Sequence, residues 1–150
     1  MRKLIAGMKI SLDGKIAADK KEGASEGVAD WVDAWSEDYG LTPQIDACLL
    51  GASMYAGGYE QYWTAIQNEP HKPVWITGTA PTPAEIEWAR FAEQTPHYVL
   101  SSTLTSALWP KTSFIRGLED IAALKQQPGK DIYLMGGSNY GEPYRCRAGG

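Results

Sequence analysis

Apolar and polar positions fall into alternating blocks along this chain. Residues 3–10 carry few charges and predict a strand, in a central place buried on both faces. The run turns at Ser11-Leu12-Asp13-Gly14-Lys15 and resumes as Ile16-Ala17. Residues 19–27 are polar and glycine-bearing and read as a loop. Residues 29–39 then read as a helix, with Asp30 as N-cap and Trp31 and Trp35 four apart on one face. Gly40 and Pro43 close it.

The second half repeats this rhythm. Residues 46–50 predict a second strand, and residues 52–62 a short helix or turn interrupted by Gly57-Gly58. Residues 72–77 (KPVWIT) predict a third strand. Pro81 and Pro83 introduce a helix over residues 84–93, with Thr79 or Thr82 near its start. Residues 97–100 and 111–115 predict two further strands. Residues 118–126 predict a helix stopped by Pro128-Gly129, and residues 131–135 a sixth strand. Strands that alternate with helices imply an α/β fold, a largely parallel sheet covered on both faces. No repeat, low-complexity tract or linker divides the chain.

Glycine marks three of these strand ends: the turn at Gly14, Gly51, and the pair Gly136-Gly137. Without a Cβ, the main chain at such a position can come close to a ligand.

Composition narrows the function classes. A chain of 150 residues suits one domain that can hold a core without disulfides or metal. A net charge of −4 argues against nucleic acid as the main partner, since phosphate binding needs a basic face. Cys48 and Cys146 make no disulfide framework, and Cys48 reads as a small core residue. His71 and His97 have no metal-ligand spacing. The apolar run after Met1-Arg2-Lys3 is too short for a signal peptide or a membrane span. A cytoplasmic protein with no membrane partner is the default expectation.

Residues 138–150 (SNYGEPYRCRAGG) show no hydrophobic period. Residues 1–140 therefore read as the domain and 141–150 as an irregular tail. A cloning scar, a frameshifted end and a truncation all remain open for it.

The ordered set SLDGKIA, Asp30-Trp31, LLGASMY, LSST and IYLMGGSNY resembles the dihydrofolate reductase-like superfamily, in the branch related to the reductase domain of the riboflavin-pathway deaminase/reductase. The resemblance covers residues 1–140. It implies a three-layer fold with a mixed, mostly parallel sheet, and NADPH bound across the carboxyl ends of the strands. It further implies that Ile10, Lys15, Ile16 and Ala17 border the cofactor, and that Asp13 and Trp31 meet the substrate. Gly51, Ala52, Ser53 and Met54 would offer main-chain donors to a cofactor phosphate. Ser101, Ser102 and Thr103 would hold the adenosine phosphate side, and Gly136, Gly137 and Ser138 the pyrophosphate.

Two departures bear on specificity. Ala52 and Met54 stand where relatives often carry Arg and Thr, which leaves NADH open beside NADPH. Met135 stands where the riboflavin branch carries an acidic residue, which argues against that branch's own pyrimidine. Relatives also continue past the glycine pair with a helix and further strands, so an exposed sheet edge is expected here.

The implied activity is an NAD(P)H-dependent reductase acting on a small, flat, pterin- or pyrimidine-like heterocycle, in a homodimer. The alternative is a non-catalytic nucleotide-binding or dimeric assembly module of the same fold. A doubly wound domain with another ligand lacks support, since no phosphate-loop or nucleophile-elbow motif is present. The residues also admit plainer roles. Asp13-Gly14 is a common turn pair, Ser101-Ser102-Thr103 could be a capping cluster, and Tyr55, Tyr59, Tyr62 and Trp63 form a stripe suited to packing or a dimer surface.

Overall fold

The computed structural model describes residues 1–6, 42–74 and 78–135. In chain order the elements are β1 (Leu4–Ala6), β2 (Ile45–Gly51), α1 (Ala52–Ala56), α2 (Tyr59–Asn68), α3 (Pro83–Gln94), β3 (His97–Leu100), β4 (Thr112–Ile115), α4 (Leu118–Gln126) and β5 (Asp131–Met135). The five described strands form one sheet in the order β1-β5-β2-β3-β4, and every pairing among them is parallel.

The helices lie on both faces. Strand side chains alternate, so Cys48 and Leu50 of β2 face one way and Ala47 and Leu49 the other. The first face meets α2 through Tyr59, Trp63 and Ile66 and α3 through Trp88, Ala89 and Ala92, and forms the main core. The second face meets α4 through Leu124 and Ile121, in a thinner layer. The chain is thus three-layered α/β. From β2 to β3 it advances with α2 and α3 on one face; from β4 to β5 it returns with α4 on the other. Reversing direction and face together keeps one hand, as the rule for parallel crossovers requires.

Local sequence explains where the helices begin and end. Thr82 caps α3 in a capping box: its hydroxyl accepts the Glu85 N–H at 3.2 Å, and the Glu85 carboxylate accepts the Thr82 N–H at 2.7 Å. Pro83 fills the first helical position, where a missing N–H costs nothing. Asp120 accepts the Arg116 and Gly117 N–H groups and so caps α4. Gly57-Gly58 separates α1 from α2, with Gly58 left-handed at φ 101°.

Three expectations are corrected. β1 is not central among the described strands: it pairs with β5 alone, and Leu4 and Ile5 are only half-buried. The buried centre is β2 and β5. Residues 72–74, the described part of the strand expected over residues 72–77, are not in a strand. The Val74 N–H donates to the Thr79 carbonyl, and the Val74 carbonyl accepts from the Gly78 N–H. Residues 75–77 lie outside the described residues. The helix expected to end near residue 62 runs on to Asn68 because Trp63 and Ile66 continue its buried face.

The expected turn after the first strand, the helix over residues 29–39 and the tail lie outside the described residues. No described helix is long and apolar enough to cross a membrane.

Candidate functional site

Register brings the expected ligand-facing strand ends together. Gly51 pairs with Leu100, which Ser101 follows, and Leu50 pairs with Met135. The carboxyl ends of β3, β2 and β5 are therefore flush, side by side at the middle of the sheet. In open parallel α/β sheets this edge is where ligands bind.

At the centre stands Gly51. Its backbone is extended (φ −82°, ψ 159°), a conformation open to any residue. A Cβ built there meets nothing within 4 Å among the described residues. Among the described residues, neither dihedral strain nor packing demands glycine here. α1 starts at the next residue with no side chain capping it. Ser53 is exposed, whereas Met54 packs against the main core. The Met54 side chain thus has a structural task, and its main chain is what it could offer a ligand.

Ser101 begins a tight turn. Its hydroxyl oxygen accepts the N–H groups of Thr103 (3.2 Å) and Leu104 (3.0 Å), and its own N–H donates to the Ile115 carbonyl. The oxygen is occupied locally and the residue is 6% exposed, which leaves only its hydroxyl proton as a group Ser101 could donate. Ser102 and Thr103 are exposed.

Sequence reasoning missed Arg116, the residue directly after β4. Its guanidinium donates to the carbonyls of Ser101 (2.5 Å) and Leu104 (2.9 Å). Arg116 is exposed, and two bonds leave a five-donor guanidinium with further N–H groups beside the Ser101 turn. An arginine at the carboxyl end of a strand (SFIR) was the available signal. It supplies a cation at this edge, where Ala52 and Met54 supply none.

Beneath the edge lies a neutral, buried polar cluster. The His97 Nδ1–H donates to the Thr95 carbonyl at 2.7 Å, so Nε2 is the acceptor for the Tyr59 hydroxyl at 3.0 Å. Burial lowers the His97 pKa from 6.5 to about 4 against the opposing pull of that carbonyl and of Glu60. Burial likewise pushes the Tyr59 phenol well up and the Cys48 thiol up to about 12. These groups are uncharged at neutral pH and are sealed in the core. The aromatic stripe is packing: Tyr59 stands edge-on to Trp63 and Trp109, and Trp63 edge-on to Trp88.

Among the described residues, no group of His, Cys, Asp and Glu could hold a metal ion. Of the expected site residues, the structure brings Gly51–Met54 and Ser101–Thr103 to one edge. Ile10, Asp13, Lys15, Ile16, Ala17, Trp31, Gly136, Gly137 and Ser138 lie outside the described residues. Compared with protein-family models and with curated proteins, the chain matches none.

Proposed function

We propose that this chain is an NAD(P)H-dependent reductase of dihydrofolate reductase-like fold, acting on a small, flat heterocycle. The observation that carries the reading is the flush edge of β3, β2 and β5, with an unfilled Cβ position at Gly51 and an arginine beside the Ser101 turn. A nucleotide laid across these ends would meet the main chain at Gly51 without steric obstruction. The Ser101 hydroxyl proton, the exposed Ser102 and Thr103 and the Arg116 guanidinium fit a phosphate there, which favours NADPH over NADH.

The cofactor supplies the hydride, and the protein supplies orientation. In this reading Gly51 keeps the edge open and Arg116 fixes the phosphate end. Asp13 and Trp31 border the acceptor. Homodimerisation belongs to the same reading.

Titrating the chain with NADPH and NADH, followed by cofactor fluorescence and calorimetry, tests it. Saturable binding, tighter for NADPH and weakened by Arg116→Ala, is expected. No binding of either at millimolar concentration by folded protein rejects it. Binding without turnover of any pterin or pyrimidine moves the assignment to the non-catalytic nucleotide-binding module.

A further inference from the structure

Glu60, the second residue of α2, is only 1% exposed, although it carries a carboxyl group among aromatic neighbours. Four donors converge on it. Oε2 accepts the Tyr55 hydroxyl at 3.0 Å, the Leu108 N–H at 2.7 Å and the Trp109 N–H at 3.3 Å. Oε1 accepts the Thr112 hydroxyl at 2.6 Å. These donors come from three separate parts of the chain: α1, the connection 101–111, and the first residue of β4. Tyr55 also stands edge-on to Phe114 of β4, with ring centroids 5.5 Å apart.

The connection 101–111 contains no helix or strand. Side chains from other elements hold it in three places. Arg116 grips its start at Ser101 and Leu104, Glu60 its middle at Leu108 and Trp109, and Thr64 accepts the Trp109 indole N–H at 2.9 Å. Of these three, Glu60 alone also takes the hydroxyl of α1. One rim of the proposed cleft, Gly51–Met54, leads into α1, and the other, Ser101–Thr103, leads into the connection. Both are tied through this carboxylate, and the Tyr55 hydroxyl also lies 3.5 Å from the Ser106 carbonyl of the connection.

We infer that Glu60 is a positioning residue that couples α1 to the connection 101–111, so that the two rims keep one separation. The clause about the cleft rests on the reductase reading; the coupling itself does not. A carboxylate suits the task because its two oxygens offer about four lone-pair sites, matching four convergent donors. Glutamine can keep most of this geometry, with its oxygen at the Oε2 place and its amide donating to the Thr112 hydroxyl. Leucine can keep none of it.

The test is hydrogen–deuterium exchange on the ligand-free full chain, paired with NADPH calorimetry. Glu60→Leu should speed amide exchange in residues 52–56 and 104–111 together, by about tenfold or more, while α3 and α4 exchange as in the wild type. NADPH affinity should fall about tenfold. Glu60→Gln should restore both. A purely structural role predicts a lowered melting temperature with no joint response of the two segments.

Exchange that rises in the connection while α1 stays protected overturns the coupling. NADPH affinity unchanged by Glu60→Leu in a protein that binds NADPH overturns the clause that the coupling sets the separation of the cleft rims. If the wild type binds no NADPH, the reductase reading fails, and the exchange pattern alone decides the coupling. Should Glu60→Leu not fold, Tyr55→Phe and Thr112→Val decide it. Each removes one tie at nearly constant volume. Joint loosening of both segments supports the proposal, and loosening confined to each variant's own segment overturns it.

Discussion

The two edges of the sheet treat glycine and charge in opposite ways. At the amino edge, buried Arg2 pairs with Asp46 through Nη2 and donates from Nε to the Lys130 carbonyl at 2.5 Å. The other Asp46 oxygen accepts the Lys130 N–H at 2.8 Å, and Asp131 accepts the Lys3 N–H at 2.8 Å. Gly129 sits against this cluster at φ 146°, and a Cβ there would lie 2.7 Å from Asp46 Oδ2 and 3.3 Å from Arg2 Cζ. At the carboxyl edge, Gly51 is extended and its Cβ position meets nothing within 4 Å among the described residues. Contacts among the described residues account for the glycine at Gly129 and not for the one at Gly51. At the amino edge Arg2 is matched by Asp46, and the Asp131 carboxylate and the Lys130 ammonium are taken up by backbone groups, whereas Arg116 at the carboxyl edge keeps donors to offer. The first edge reads as a closure of the fold and the second as a place prepared for something else.

Perturbing the amino-edge side should cost stability and spare cofactor binding. The largest effect is expected at His97, which opens β3. Its folded pKa of about 4 lies below the unfolded value of 6.5, so below pH 6.5 the unfolded chain takes up a proton that the folded chain refuses. Stability is therefore full above 6.5 and falls as the pH drops toward 4, by about 3 kcal/mol over the window. Between pH 7 and pH 5 the loss should be about 2 kcal/mol in urea melts. His97→Gln should remove that slope; an unchanged slope would refute the assignment.

Gly129→Ala comes next, at about 2 kcal/mol, from a left-handed backbone and a Cβ pressed onto a fixed carboxylate. A melting temperature equal to the wild type would show that the amino edge yields more easily than its packing implies. Asp46→Ala leaves Arg2 buried without its carboxylate. Because Asp46 is partly exposed, about 1.5 kcal/mol is expected, short of the cost at a fully buried pair. Its NADPH affinity should match the wild type.

The smallest stability effect belongs to Gly51→Ala, within about 0.5 kcal/mol, because the backbone is unstrained and the space is free. The same variant should weaken NADPH about tenfold if the cofactor passes over Gly51, a loss of the size expected when one close contact is blocked. A stable variant with unaltered affinity would remove Gly51 from the site.

Much of the fold was legible where a local signal sufficed. Thr82-Pro83 announced α3, Pro128-Gly129 stopped α4, and the two apolar runs ending at Gly51 and Met135 became β2 and β5. Residues 72–74 misled because a lysine and a proline ahead of an apolar run give no strand start, and only the bonds of Val74 to Gly78 and Thr79 reveal its place. The place of β1 misled because scarcity of charge reports burial poorly at a strand that lies at the edge of the described sheet.

The site was legible only as strand ends. Gly51 and Ser101 are 50 positions apart, and their adjacency follows from register. Arg116 and Glu60 were illegible for a related reason. Each acts on backbone groups of a distant segment, and Glu60 stands in a run, YEQYW, that reads as an ordinary amphipathic helix face.

The strand order carries a consequence for how the chain is made. β5 lies between β1 and β2, yet it is the last of the five strands in sequence, with Leu4 paired to Ile132. During synthesis at about 5–20 residues per second, β1 waits roughly 6–25 s for its neighbour to emerge. Until then the amino-terminal strand has no place in the sheet, and β2 presents an unpaired, strongly apolar flank. The nascent chain is therefore most exposed to wrong partners until β5 is made, and the insertion of β5 is the step that a ribosome-associated chaperone would guard.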